Sequence, residues 1–277
     1  MTTFDELKSH FTDLTQLARG GQKIVWQATH PLHGKTVIKL YFSVDARAKR
    51  EIEISRGLNT DKTPRIFEAG TVSYEGQDTL YVMEQFIDGR TLRSFLTSGA
   101  RFDISTAVSF LEQGFDFVMQ LEKKHIVHRD IKPENLILCH DGVVYFLDFG
   151  IARILDMQSL TQSDAAFGPH TPGYAAPEQF NNLKRNIDSR ADLFSLGVVT
   201  YECLTGNNPF RDNAASALEI LQRTATVTPA SHHINGDDQH LLMGLISSLM
   251  GKSPSMRPQD ATQAFDWLNA IKPTLKL

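Results

Sequence analysis

A change of texture at Gly89 constrains the fold of this 277-residue chain more than any other feature. Before it, β-branched and aromatic residues recur in short runs: Lys23 to Ala28, Lys35 to Tyr41, Ile66 to Gly70, Thr71 to Tyr74 and Thr79 to Glu84. Such runs, separated by turn residues such as His33-Gly34 and Glu75-Gly76-Gln77-Asp78, predict strands. Asp45 to Leu58 interrupts them with good helix formers and predicts one main helix. After Gly89 the periodicity becomes helical over Leu92 to Leu96, Ile104 to Lys124, Ala191 to Leu204, Ala215 to Thr224, Asp237 to Met250 and Asp260 to Ile271. Leu136 to Leu138 and Val143 to Leu147 flank His140-Asp141-Gly142 as a hairpin. A strand-rich third followed by a helical remainder predicts an α+β chain in two lobes.

Composition narrows the function classes. The formal net charge of −4 argues against nucleic-acid backbone as the main partner. No run approaches the ~18 apolar residues of a membrane span, and Met1 to Ser9 lacks the apolar core of a signal peptide. Two cysteines, Cys139 and Cys203, exclude a disulfide scaffold and a four-cysteine zinc site, and read as small buried thiols. The expectation is a globular protein that is soluble and cytoplasmic, with no membrane insertion.

The chemistry-bearing residues concentrate between His125 and Gly150. His128-Arg129-Asp130-Ile131-Lys132-Pro133-Glu134-Asn135 is followed, thirteen residues after that asparagine, by Asp148-Phe149-Gly150. This ordered pair resembles the catalytic loop and metal-binding motif of protein kinases. The resemblance runs from about Leu17 to Pro258 and implies a bilobal protein kinase fold. That fold has a small antiparallel β-sheet lobe with one main helix (1–86, with a short N-terminal extension) and a larger, mostly helical lobe (87–277). Together they form a single catalytic domain.

The resemblance implies a role for each matching residue. Asp130 would accept or orient the proton of the substrate hydroxyl, and Lys132 would neutralise charge on the transferring phosphoryl group. Asn135 and Asp148 would hold Mg²⁺, for which Mn²⁺ could substitute, through oxygen ligands. Lys39 would contact the α- and β-phosphates of ATP, with Glu51 as its helical partner and Glu53 as the runner-up. His128 and Phe149 read as packing residues. Asp192 resembles a buried aspartate that accepts N–H bonds from the catalytic loop, and Arg257 resembles an arginine that pairs with Glu178.

Two regions depart from the family pattern. The glycine-rich loop reads Ala18-Arg19-Gly20-Gly21-Gln22-Lys23-Ile24-Val25, so only Gly20 matches, with Gly21 beside it. Gly20 and Gly21 would still let backbone N–H groups approach phosphate, and Lys23 would add a cation near the nucleotide. Val25, Val37 and Ile137 complete the expected nucleotide contacts. The second departure is the hinge, Val82 to Gly89. Either Met83 or Glu84 guards the back of the pocket, and Met83 is preferred because a charged guard is unusual. Adenine would meet the backbone of Glu84, Gln85, Phe86 and Ile87.

The activation segment runs from Asp148 to Ala176-Pro177-Glu178. Thr171, in His170-Thr171-Pro172-Gly173-Tyr174, together with Lys132 marks serine/threonine specificity within the family. Arg129 beside Asp130 marks the class whose loop is ordered by phosphate, and Ser159, Thr161 and Ser163 are candidate phosphosites. The sequence is therefore read as a serine/threonine protein kinase of the eukaryotic-like type found in bacteria. It would use ATP and Mg²⁺, autophosphorylate, act on a protein substrate and have a cognate phosphatase. Its rivals are a nucleotide-binding pseudokinase and a small-molecule kinase on the same fold.

Overall fold

The computed structural model describes residues 3–20, 23–42, 52–54, 56–58, 60–149, 153–154, 171–180 and 187–277. The chain divides into two compact units, Met1–Asp88 with Leu147–Gly150, and Gly89–Phe146 with Ile151–Leu277. The division falls two residues beyond the expected 86/87 boundary. Within the segment Leu147–Gly150, which groups with the first unit, Asp148 is ion-paired to lysines of the sheet, as described below.

The first unit is a five-stranded antiparallel sheet in the order β1-β2-β3-β5-β4: β1 (Thr12–Arg19), β2 (Lys23–His30), β3 (Gly34–Tyr41), β4 (Ile66–Tyr74) and β5 (Gln77–Gln85). Sequence reading missed β1, whose side chains are almost all exposed and carry no apolar alternation. It also split β4 at Gly70. The strand runs through because Gly70 is where Tyr81 of β5 comes closest: a Cβ there would lie 2.9 Å from the Tyr81 ring.

Each face of this sheet has its own apolar cluster. A short helix α1 (Phe4–Lys8), closed by a capping box between Thr3 and Glu6, packs Phe4 and Leu7 onto Ala28, Ile38, Leu40, Val72 and Tyr81. On the other face Tyr41, Leu80 and Val82 pack with Ile52. Ile52 belongs to the helix expected over 45–58, of which residues 52–54 and 56–57 are described and helical.

The second unit opens with β6 (Gly89–Thr91), which joins β8 (Leu136–Cys139) and β9 (Val144–Phe146) in a three-stranded sheet. Gly89 is required there. A Cβ would stand 2.7 Å from the Leu138 carbonyl oxygen, so no larger residue lets the strands approach. A two-stranded pair joins β7 (Ile126–Val127) to β10 (Arg153–Ile154). The helices are α2 (Leu92–Thr97), α3 (Ile104–Glu122), α4 (Pro177–Phe180), α5 (Arg190–Thr205), α6 (Ala217–Thr226), α7 (Leu241–Leu249) and α8 (Ala261–Ile271).

Helix α5 is the centre of this unit. Every residue from Ala191 to Leu204 is buried, the pattern of a helix surrounded on all sides. It packs against α3 and α7, and α3 packs against α8. Asp103 and Asp260 cap α3 and α8 by accepting the N–H groups of Thr106 and Gln263 at 2.7 and 2.8 Å. Among the described residues no helix is long and apolar enough to cross a membrane. Cys203 is buried, which pushes its thiol far above the usual range, whereas Cys139 is only partly buried, contrary to expectation.

Candidate active site

Two groups of functional side chains form, one in each unit. The first is set by strand register. In antiparallel pairing, residues directly opposite share a face. Lys23 faces Tyr41, Val25 faces Lys39, Val82 faces Lys39, and Glu84 faces Val37. Lys23, Val25, Val37, Lys39 and Glu84 therefore lie on one face of the sheet. Met83 pairs with Ile38 and points to the opposite face, where it is buried. Of the two residues expected to guard the pocket, Glu84 shares the face of Lys39, and Met83, the preferred one, packs in the core.

Charges alternate across that face. The Lys39 ammonium lies 2.7 Å from Glu84 Oε1 and 3.1 Å from Asp148 Oδ1. Lys23 donates to the same Asp148 oxygen at 2.6 Å. Burial alone would raise the Asp148 carboxyl, but Lys39 and then Lys23 overwhelm that and hold it far below the usual range. Asp148 itself has φ 61°, a left-handed conformation uncommon for a residue with a side chain. Phe149 beside it is buried.

Several expected residues fall elsewhere. Glu51 and Gly21 lie outside the described residues. Glu53 is exposed, and Gly20 is at the exposed β1–β2 turn, its N–H bonded to the Lys23 carbonyl at 2.9 Å. In the hinge, the Gln85 N–H already donates to the Arg65 carbonyl at 2.8 Å. Phe86 packs its ring under the Lys35 ammonium, and Ile87 is buried.

The second group is built on the loop after β7. The Thr171 hydroxyl donates to Asp130 Oδ1 at 2.8 Å and accepts from Lys132 Nζ at 2.8 Å. Lys132 also donates to Asp130 Oδ2 at 2.8 Å, and Asn135 Nδ2 donates to the same oxygen at 2.9 Å. Both oxygens of Asp130 are held, so its orientation is fixed by three side chains. Asn135 uses its amide nitrogen on Asp130, which leaves its amide oxygen as the atom it can offer a cation. Ile137 follows in β8, opposite Tyr145.

The backbone beneath this group is anchored from α5. Asp192, fully buried, accepts the N–H groups of His128 and Arg129 at 2.8 and 2.7 Å. Burial pushes its carboxyl up to about 7 against the pull of those two donors. The bonds hold Arg129 at φ 71°. His128 is buried edge-on against Phe117. Arg257 donates to both Glu178 oxygens, at 2.6 and 2.9 Å, in a buried bidentate pair. Ser159, Thr161 and Ser163 lie outside the described residues.

Sequence reading missed two contributors. Gln179 donates to the Arg129 carbonyl at 2.9 Å and accepts the Ala176 N–H at 3.0 Å, tying the end of the activation segment to the catalytic loop. Arg93 joins Glu134 (2.8 Å), Glu202 (2.9 Å) and the Tyr174 hydroxyl. No local motif marks either. The pairing of Glu84 with Lys39 was legible only as strand alternation.

Comparison with known proteins gives the family. The protein kinase domain model matches residues 11–267. A probable serine/threonine-protein kinase of Streptomyces coelicolor is 33 % identical over 258 residues, which span 89 % of this chain and 37 % of that protein. The probable kinase PknB of Corynebacterium glutamicum is 28 % identical over 260 residues, 89 % of this chain and 40 % of its own length. The kinase PknL of Mycobacterium tuberculosis is 29 % identical over 98 % of this chain and 68 % of its own length. The chain belongs to the protein kinase family. It spans 37 % of the Streptomyces relative's length and 40 % of the Corynebacterium relative's.

Proposed function

We propose that this chain transfers the γ-phosphoryl group of Mg-ATP to serine or threonine hydroxyls of a protein. The observation that carries the reading is the closed set of bonds among Asp130, Lys132 and Thr171. Phosphoryl transfer asks the protein mainly for positioning and charge neutralisation. In this reading Asp130 receives the hydroxyl proton, and Lys132 stands beside it as the cation for the moving phosphoryl group. Thr171 orients both through one hydroxyl. Asn135 and Asp148 offer amide and carboxylate oxygens, the donor set a hard divalent cation prefers. When bound, Mg²⁺ would neutralise phosphate charge.

Lys39 and Lys23 supply fixed positive charge toward the phosphates from the sheet face. The curated relatives carry serine/threonine kinase in their names, which supports the choice of acceptor. Autophosphorylation at Ser159, Thr161 or Ser163 belongs to the same proposal, as does a cytoplasmic location.

The test is phosphate transfer by the purified chain with labelled ATP and Mg²⁺. Label is expected on Ser or Thr, and Asp130→Asn should lower the rate by about 10²–10⁴-fold, the usual worth of a positioned general base. A chain that transfers nothing, or an Asp130→Asn variant as fast as the parent, overturns the reading. Phosphopeptide mapping of the active protein locates the loop site.

A further inference from the structure

We infer that Glu84 is a positioning residue for Lys39, holding the phosphate-contacting ammonium from within the sheet itself. The inference rests on the kinase reading above, in which Lys39 meets the α- and β-phosphates.

The register makes the pair. Lys39 opposes Val82 and Val37 opposes Glu84, so Lys39 and Glu84 are diagonal neighbours on one face of adjacent strands. Long side chains reach across that diagonal. Their charged atoms meet at 2.7 Å, and both residues are buried, at 7 and 8 % exposure. A buried carboxylate needs a cation close by, and Glu84 has Lys39.

The charge balance on the face points the same way. Asp148 Oδ1 is shared between two ammonium groups, those of Lys23 and Lys39. Among the described residues, two carboxylates, Asp148 and Glu84, meet these two lysines. With Glu84 on Lys39, the lysine keeps its place without drawing on Asp148 alone, whose oxygens the kinase reading assigns to the metal. Both members of the pair are strand residues, so their separation is set by the β3–β5 ladder. A partner carried on a separate helix reaches the lysine only when that helix is docked. A strand-borne partner is in place whenever the sheet is folded.

The experiment compares the parent, Glu84→Gln, Lys39→Met and the double variant. Binding of Mg-ADP and of adenosine is measured by calorimetry, beside phosphate transfer. Glu84→Gln should weaken Mg-ADP by about tenfold or more, the size expected for a charge-assisted contact, and leave adenosine unchanged. In the Lys39→Met background, Glu84→Gln should add nothing to the loss of Mg-ADP affinity. Equal weakening of adenosine and Mg-ADP overturns the inference, since that is a damaged pocket. So does an unchanged Mg-ADP affinity, or a Glu84→Gln effect that persists without Lys39. If Lys39→Met itself alters neither transfer nor Mg-ADP affinity, the kinase role of Lys39 fails and the inference falls with it. Should Glu84→Gln give no folded protein by circular dichroism, Glu84→Asp takes its place. It keeps the charge, withdraws the carboxylate by one methylene, and is judged by the same comparisons.

Discussion

The two functional groups are held in place by different physics. In the first unit, Lys23, Asp148, Lys39 and Glu84 are oriented by one another, as an alternating row of charges on a sheet face. In the second, Asp130 and Lys132 sit on a loop whose backbone is tied to buried scaffold through Asp192 and Gln179, and Thr171 bonds to both from the activation segment. A row of ion pairs can rearrange when a ligand brings new charge. A loop pinned through its own N–H and C=O groups cannot move without leaving buried polar groups unpaired. Under the proposed function, phosphate would be met by adjustable side chains, and the proton by side chains carried on a fixed backbone.

That contrast can be broken, and the largest effect belongs to the pinned unit. Arg257→Met leaves Glu178 buried without its bidentate partner, and should cost about 3–5 kcal/mol of stability by chemical denaturation. Next comes Asp192→Ala. It orphans the N–H groups of His128 and Arg129 and removes support for the left-handed Arg129, for a loss of roughly 2–4 kcal/mol. Phosphate transfer should fall even where the protein remains folded. If either variant is as stable as the parent, the loop is not held through its backbone.

Lys252 sharpens the contrast from the other side. Its buried ammonium packs over the Phe210 and Phe194 rings, with no hydrogen-bond partner among the described residues. Burial first, and Arg257 second, lower its pKa to about 8. Between that value and the ordinary lysine value the unfolded chain binds more protons than the native one, so this group makes stability rise with pH across that window. Lys252→Met should abolish the rise and, near pH 7, stabilise the protein by on the order of 1 kcal/mol. Denaturation curves from pH 7 to 10 read both.

The smallest effect on stability should come from the adjustable row. Lys23→Ala removes a partly exposed ion pair and should change stability by less than about 1 kcal/mol, with the difference shrinking in high salt. A loss as large as that of Asp192→Ala would erase the distinction between the two groups.

What could be read from the sequence follows the same division. The loop from His128 to Asn135 and the Asp148-Phe149-Gly150 segment are contiguous, so their chemistry is written along the chain. Asp192, Glu178 and Arg257 are distant from that loop but sit in recognisable local contexts. Glu84 differs. Its role depends on which of two adjacent residues faces Lys39, and a one-residue shift in a strand reverses every side chain. Motif habit favoured the uncharged Met83; the pairing of β3 with β5 puts Glu84 on the face of Lys39. Strand β1 escaped notice because an exposed edge strand need not alternate. Gly70 looked like a break because the ring of Tyr81 that fills its place comes from another strand.

Helix α1 has one further consequence. It precedes the whole region matched by the family model, yet it covers Ala28, Ile38, Leu40, Val72 and Tyr81 on the sheet face away from Lys39. A chain shortened to begin at Thr12 would keep every catalytic candidate and present that apolar face to solvent. Bare sheet surface of this kind is a seed for self-association. Removing the helix is therefore expected to cost solubility while leaving the candidate site residues untouched.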